Sequence, residues 1–157
     1  MKNNRQQWIV TTDGRSAVLY SSRTADDGRL RLERVASLAN THAGQHERGR
    51  PVLLGGAERR GSTTSSSAHA APHGVAAGHA EEEEQRRFAR DVHDWLTHAR
   101  NAVDSPRLTI FSSPRFLGLL RAEASRTAHP LDLREGELTR LSLDELSKHP
   151  AILEVIA

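Results

Sequence analysis

Cysteine is absent from this 157-residue chain, which excludes a disulfide framework, a thiolate zinc site and a cysteine nucleophile. Hydrophobic residues are scarce at 36%, so part of the chain is expected to lie outside the core. No apolar run approaches the ~20 residues of a membrane span. The opening Met1-Lys-Asn-Asn-Arg-Gln-Gln leads straight into strand-like residues, without the apolar segment and cleavage site of a signal peptide. A cytoplasmic protein without membrane insertion is the expectation. A phosphate-binding glycine loop and a nucleophile elbow are also missing. The length suits one domain with a single core, and residues 1–157 are read as that domain.

Charge is uneven along the chain. Residues 1–60 carry 11 Lys+Arg against 6 Asp+Glu, while residues 61–157 carry 11 against 14. Nearly all the basic residues are arginine, which can grip phosphates bidentately. A GC-rich coding sequence produces the same preference, so nucleic-acid contact is permitted by the composition and not required by it.

Leu108 to Phe111 is a run of aliphatic, β-branched and aromatic residues that fits a strand buried on both faces. Ser113 offers a side-chain oxygen as helix cap, and Pro114 suits the first helical position. Phe116, Leu117, Leu120 and Ala124 follow at helical spacing, turning one apolar face back onto the strand. This strand–helix unit belongs to an α/β layer fold.

Upstream, Trp8–Thr12 and Ala17–Tyr20 read as strands joined at Asp13-Gly14-Arg15-Ser16, where Asp-Gly signals a hairpin because both residues tolerate positive φ. A turn at Asp26-Asp27-Gly28 leads into a third strand, in which Leu30, Leu32, Arg34 and Ala36 alternate with Arg31, Glu33 and Val35. Asn40 to Gly78 is rich in Gly, Ser, Ala, Arg and His, with too few large apolar groups to offset the entropy of ordering. A long mobile loop is expected there, with Pro51–Leu54 as a short apolar anchor. It contains His42, His46, His69 and His73, with His79 directly after it. The i,i+4 pairs His42/His46 and His69/His73 lack a helical setting, so solvated histidines are expected, with no metal and no cofactor.

Ala80 to Val103 carries the clearest helical stripe, formed by Phe88, Val92, Trp95, Leu96, Ala99 and Val103. Glu81 to Glu84 would load its first turn, favourably for the macrodipole, with i,i+4 pairs Glu82/Arg86 and Glu83/Arg87. His93 and His98 fall off the stripe and read as surface residues. His129–Leu133 suggests a last strand. Ser142-Leu-Asp-Glu145 is a capping box opening a helix that stops near His149-Pro150. The apolar tail Ala151–Ala157 is expected to pack on the core or on a second copy as a homodimer contact.

The order β-β-β-α-β-α-β-α describes an α/β (mixed α+β) fold of RNase H-like type, with helices on a five-stranded mixed sheet. A two-metal nuclease would need several converging carboxylates. Asp13 sits in a turn and no other acid stands at a matching strand end, so nuclease chemistry is not expected.

Several segments together resemble the bacterial host-attachment protein family, described as relatives of the archaeal and eukaryotic class-1 release factors. They are Trp8 with Asp13-Gly14-Arg15 and Tyr20, then Phe88-Ala89-Arg90. Ser113-Pro114-Arg115-Phe116-Leu117-Gly118-Leu119-Leu120-Arg121, the strongest match, follows, then Leu138-Thr139 and Leu143–Leu146. Members commonly carry Asp-Leu-Thr where this chain has Glu137-Leu138-Thr139. The resemblance implies the release-factor middle-domain topology, in which a Gly-Gly-Gln loop precedes the long helix. Matching Phe88-Ala89-Arg90 to that helix puts Glu81-Glu82-Glu83 at the loop position, and neither Gly55-Gly56-Ala57 nor Gly44-Gln45 supplies the motif. A catalytically degenerate or non-enzymatic cytoplasmic protein associated with the ribosome, tRNA or rRNA is therefore implied. Arg86, Arg87, Arg90 and Arg115 are the candidate phosphate contacts, and no catalytic residue is assigned. The alternative is a protein-interaction factor that serves attachment to host cells indirectly.

Overall fold

The structure is a computed structural model that describes residues 6–42, 70–102, 107–127 and 131–157. Five strands form one mixed sheet: β1 (Gln7–Thr12), β2 (Ser16–Thr24), β3 (Leu30–Ala39), β4 (Arg107–Ser112) and β5 (Asp132–Glu135). Their order is β3-β2-β1-β4-β5. β1 pairs antiparallel with β2 and β2 with β3, whereas β1–β4 and β4–β5 are parallel. The helices are α1 (Ala70–Ala102), α2 (Pro114–Ala124), α3 (Leu143–Lys148) and α4 (Pro150–Ile156). The expected mixed sheet and element order are therefore present; the capping-box helix stops before His149-Pro150 as expected, and the tail adds the short helix α4. Among the described residues no helix is long and apolar enough to cross a membrane.

Two apolar layers sandwich the sheet. On one side Trp8, Val10, Leu19, Leu108 and Ile110 meet Phe88, Val92 and Leu96 of α1 and Phe116 and Leu120 of α2. Phe88 and Phe116 stack with ring centroids 5.5 Å apart and planes at 27°. On the other side Ile9, Tyr20 and Phe111 pack with Leu138, Leu146 of α3 and Ile152 of α4. The tail thus packs on its own core. Register follows the period of two: Val10 lies between Leu19 and Ile110 on one face, and Ile9 pairs with Tyr20 on the other.

β3 departs from the simple alternation. Leu19 pairs with Ala36 but Tyr20 pairs with Arg34, so Val35 is an extra residue in the edge strand and is exposed. One inserted residue reverses the facing of the positions beyond it. Leu30 and Leu32 accordingly pack on the α3/α4 side and Leu38 on the α1/α2 side.

Three further expectations change. α1 begins at Ala70, so the last residues of the region read as a loop (70–78) are helical, while residues 43–69, with Pro51–Leu54, His46 and His69, lie outside the described residues. Ala70, Ala71, Ala76 and Ala77 have the highest helix propensity, and Pro72 falls in the first turn, where its missing N–H costs nothing. Once the amphipathic part is docked, extending a helix upstream needs no new nucleus. Glu81–Glu84 consequently stand about three turns inside the helix, beyond the reach of its N-terminal dipole. His93 is buried at 7% exposure, with Thr127 Oγ1 3.5 Å from Nε2, because a helix covered by both a sheet and α2 needs a wider buried face than its apolar stripe. Val103 lies outside the described residues. The last strand is Asp132–Glu135, displaced toward the C-terminus of the His129–Leu133 segment, whose first two residues are outside the described set.

Phe116→Ala should lower stability by about 3–5 kcal/mol, read as a shift of the urea midpoint, whereas Leu119→Ala at the partly buried edge should cost clearly less. The Ser142–Glu145 capping box is formed, with Ser142 N donating to Glu145 Oε2 (2.7 Å) and Glu145 N to Ser142 Oγ (3.3 Å). The Ser142 backbone N–H, then its hydroxyl, hold the exposed Glu145 carboxyl below its ordinary value of 4.5. A carboxyl lowered by folding contributes stability that is full above the unfolded value and lost as pH falls through the folded one. Thermal unfolding from pH 7 to 2 should therefore show a wild-type advantage over Glu145→Gln that is constant above about 4.5 and closes below it.

Candidate functional site

The carboxyl ends of the parallel strands β1 and β4 open a small crevice, the place where open α/β sheets commonly bind ligands. Thr12, Asp13, Ser113, Glu137, Thr139 and Arg140 line it, around about 220 Å³ of space. Asp13 organises the turn. Its Oδ1 accepts from Arg15 N (2.8 Å) and Ser16 N (2.9 Å), and its Oδ2 from the Thr139 hydroxyl (3.2 Å).

Gly14 works differently from the expected positive-φ hairpin glycine. Among the described glycines only Gly28, in the second hairpin, takes positive φ, at 78°. The Asp13 carboxylate bonds its own backbone two and three residues on, which shapes the first turn without a left-handed residue. Gly14 instead admits a close neighbour: a Cβ there would overlap the Gln85 carboxamide. The Gly14 carbonyl accepts from Gln85 Nε2 of α1 (3.2 Å) and from Asn40 Nδ2 at the end of β3 (2.9 Å). One turn thereby ties β1, β3, α1 and the Thr139 segment together. Gln85 and Asn40 were not legible as partners, because nothing local in the sequence sets their distance from Gly14.

Ser113 is the N-cap residue of α2, but its side chain makes no capping bond. Its hydroxyl has no partner among the described residues and lies on the crevice wall. The crevice thus presents hydroxyl groups beside the Asp13 and Glu137 carboxylates and the Arg140 guanidinium. Among the described residues no group of His, Asp and Glu is arranged to hold a metal ion. His42 pairs with Asp91 of α1 instead (Nε2–Oδ2, 2.9 Å), and His79 is exposed.

The four candidate arginines separate into two sets. Arg86 pairs with Glu82 (2.7 Å) and Arg87 with Glu83 (3.4 Å), as their spacing implied. Arg90 reaches Glu123 of α2 at 3.9 Å, and Glu123, only 12% exposed, also meets Arg126 at 3.7 Å. Arg115 is exposed, in the first turn of α2, and makes no ion pair among the described residues. Arg121 is likewise exposed and without an ion pair there. Between them Gly118 lies on the solvent face, and a Cβ added to it would meet nothing within 4 Å. An exposed glycine inside a helix costs roughly 1 kcal/mol against alanine, and neither packing nor φ explains it here. This face was readable on a helical wheel, opposite Phe116, Leu117 and Leu120. The other motif residues Trp8, Phe88, Phe116 and Leu117 are core, and Pro114 opens α2.

Asp13→Ala should destabilise the chain by about 2–3 kcal/mol, with three hydrogen bonds to a charged acceptor lost. Thr139→Val should cost about 1 kcal/mol; denaturant midpoints for the two variants check the order. A search of curated proteins found no match. The family model described as "Protein required for attachment to host cells" matches residues 8–149, a span that takes in the sheet, the Asp13 turn, α1, α2 and α3. The chain belongs to that host-attachment family.

Proposed function

We propose that this chain is a non-catalytic RNA-associated protein that docks on ribosomal or transfer RNA through the exposed face of α2. The observation that carries this reading is the Arg115–Gly118–Arg121 face. Two guanidinium groups without carboxylate partners among the described residues flank a glycine that leaves the helix backbone open to close approach. Arginine pairs phosphate bidentately, and a helix bare of side chains between two arginines lets a phosphate backbone come near. Arg86, Arg87 and Arg90 are less suited, since each would first have to leave a glutamate. The Glu81-Glu82-Glu83 stretch, where the release-factor resemblance would put a Gly-Gly-Gln loop, is helical and anionic. That supports a role without peptidyl-tRNA hydrolysis.

A second reading rests on a separate observation. A groove of about 850 Å³ between the β2–β3 hairpin and α3/α4 includes Leu30, Leu32, Leu143 and Leu153, and Leu143 and Leu153 are 45% and 44% exposed. Exposed leucines along one groove suit a protein partner or a second copy docked against the tail, in keeping with an attachment factor that acts through other proteins.

Co-sedimentation with ribosomes across a salt series separates the two. Under the RNA reading the wild type pellets at low salt, and Arg115→Glu/Arg121→Glu abolishes pelleting. Arg115→Gln/Arg121→Gln lowers the log–log salt slope by about 2. Gly118→Leu weakens binding while leaving helix content unchanged, and Arg86→Gln/Arg87→Gln has little effect. Pelleting indifferent to the Arg115 and Arg121 changes overturns the assignment, and a protein that stays in the supernatant at low salt hands the question to the leucine groove.

A further inference from the structure

At the opposite end of the sheet, by the amino ends of β1 and β4, a second cleft of about 330 Å³ is lined by Gln7, Arg100, Arg107, Thr109, Asp132, Arg134 and Glu154, among others. Its floor is polar although it lies in the sheet. Gln7 is 8% and Thr109 2% exposed. Gln7 Nε2 donates to Thr109 Oγ1 (3.4 Å), and that hydroxyl donates to Asp132 Oδ2 (3.0 Å). Both carboxylates of the wall are engaged by one cation, with Arg134 3.3 Å from Asp132 and 3.8 Å from Glu154. Arg100, from the last turn of α1, and Arg107, the first residue of β4, border the same cleft and make no ion pair among the described residues. Among the described lining residues three guanidinium groups stand against two carboxylates, a positive balance that low-dielectric walls focus.

We propose that this cleft binds a phosphate group, gripped by Arg100 and Arg107 above the Gln7–Thr109 floor. Guanidinium forks match phosphate oxygens bidentately, and the Gln7 carboxamide sits on the same wall as a neutral polar group. The volume is at the low end of small-molecule sites, enough for a phosphate with a sugar-sized body. The site is distinct from the α2 face: neither Arg115, Gly118 nor Arg121 lines it.

The test is thermal unfolding of the full chain with inorganic phosphate at constant ionic strength, followed by calorimetric titration. The wild type should show a saturable rise in Tm that sodium chloride does not reproduce. Arg107→Gln should bind phosphate about tenfold more weakly or worse, and Arg115→Gln/Arg121→Gln should bind like wild type. Arg100 also complements the dipole at the end of α1, so Arg107→Gln, at an exposed strand end, is the deciding variant. Competition by AMP assigns a phosphate monoester, and competition only by an oligoribonucleotide without terminal phosphate assigns a nucleic-acid backbone. Absence of a saturable shift, or a shift that survives Arg107→Gln, overturns the site.

Discussion

A strand buried at every position has no face to leave in water, and β1 is such a strand along all of Gln7–Thr12. It pairs with β2 on one edge and β4 on the other, so its backbone groups are satisfied within the sheet, and its side chains demand cover above and below. The long α1 and α2 supply one layer, and the short α3 and α4 supply the other. Parallel pairing with β4 also aligns the carboxyl ends of the two strands. Thr12–Asp13 and Ser112–Ser113 therefore emerge side by side, and the crevice exists because of that alignment.

The Asp13 turn is the point at which this arrangement is locked. Its carboxylate and the Gly14 carbonyl together receive bonds from β3's end, α1 and the Thr139 segment. A hairpin turn is ordinarily a local structure, yet here it carries contacts spanning 126 positions of sequence. The β3 bulge acts at the other side of the sheet. By reversing the facing of the strand, it lets one edge strand give leucines to both layers, and an irregular, charged edge is a poor template for a further strand.

Charge is distributed with the same economy. Arginines of the middle of α1 are matched to glutamates one turn away or on α2. Among the described residues Arg100, Arg107, Arg115 and Arg121 make no ion pair, and neither do Arg31 and Arg34 of the edge strand β3. Uncompensated guanidinium groups on a surface repel their own kind and contribute little to folding. Exposed ion pairs such as Arg86–Glu82 contribute only tenths of a kcal/mol, whereas an unpaired arginine is free to give its whole charge to a phosphate.

Local rules were enough to determine much of this protein. The buried β4 strand, Pro114 opening α2, the capping box at Ser142 and the stripe Phe88–Val92–Leu96 are set by periods of 2 and 3.6 and by side chains acting within one turn, and each is legible without a fold. The order of elements follows from them. The tertiary structure alone decided which arginines are free, because Arg90 meets Glu123 only once α1 lies against α2. It alone buried His93, moved the role of Gly14 from backbone torsion to contact with Gln85, and inserted the bulge at Val35. Those outcomes depend on distances between residues far apart in the chain, and pairing and packing set such distances where periodicity cannot.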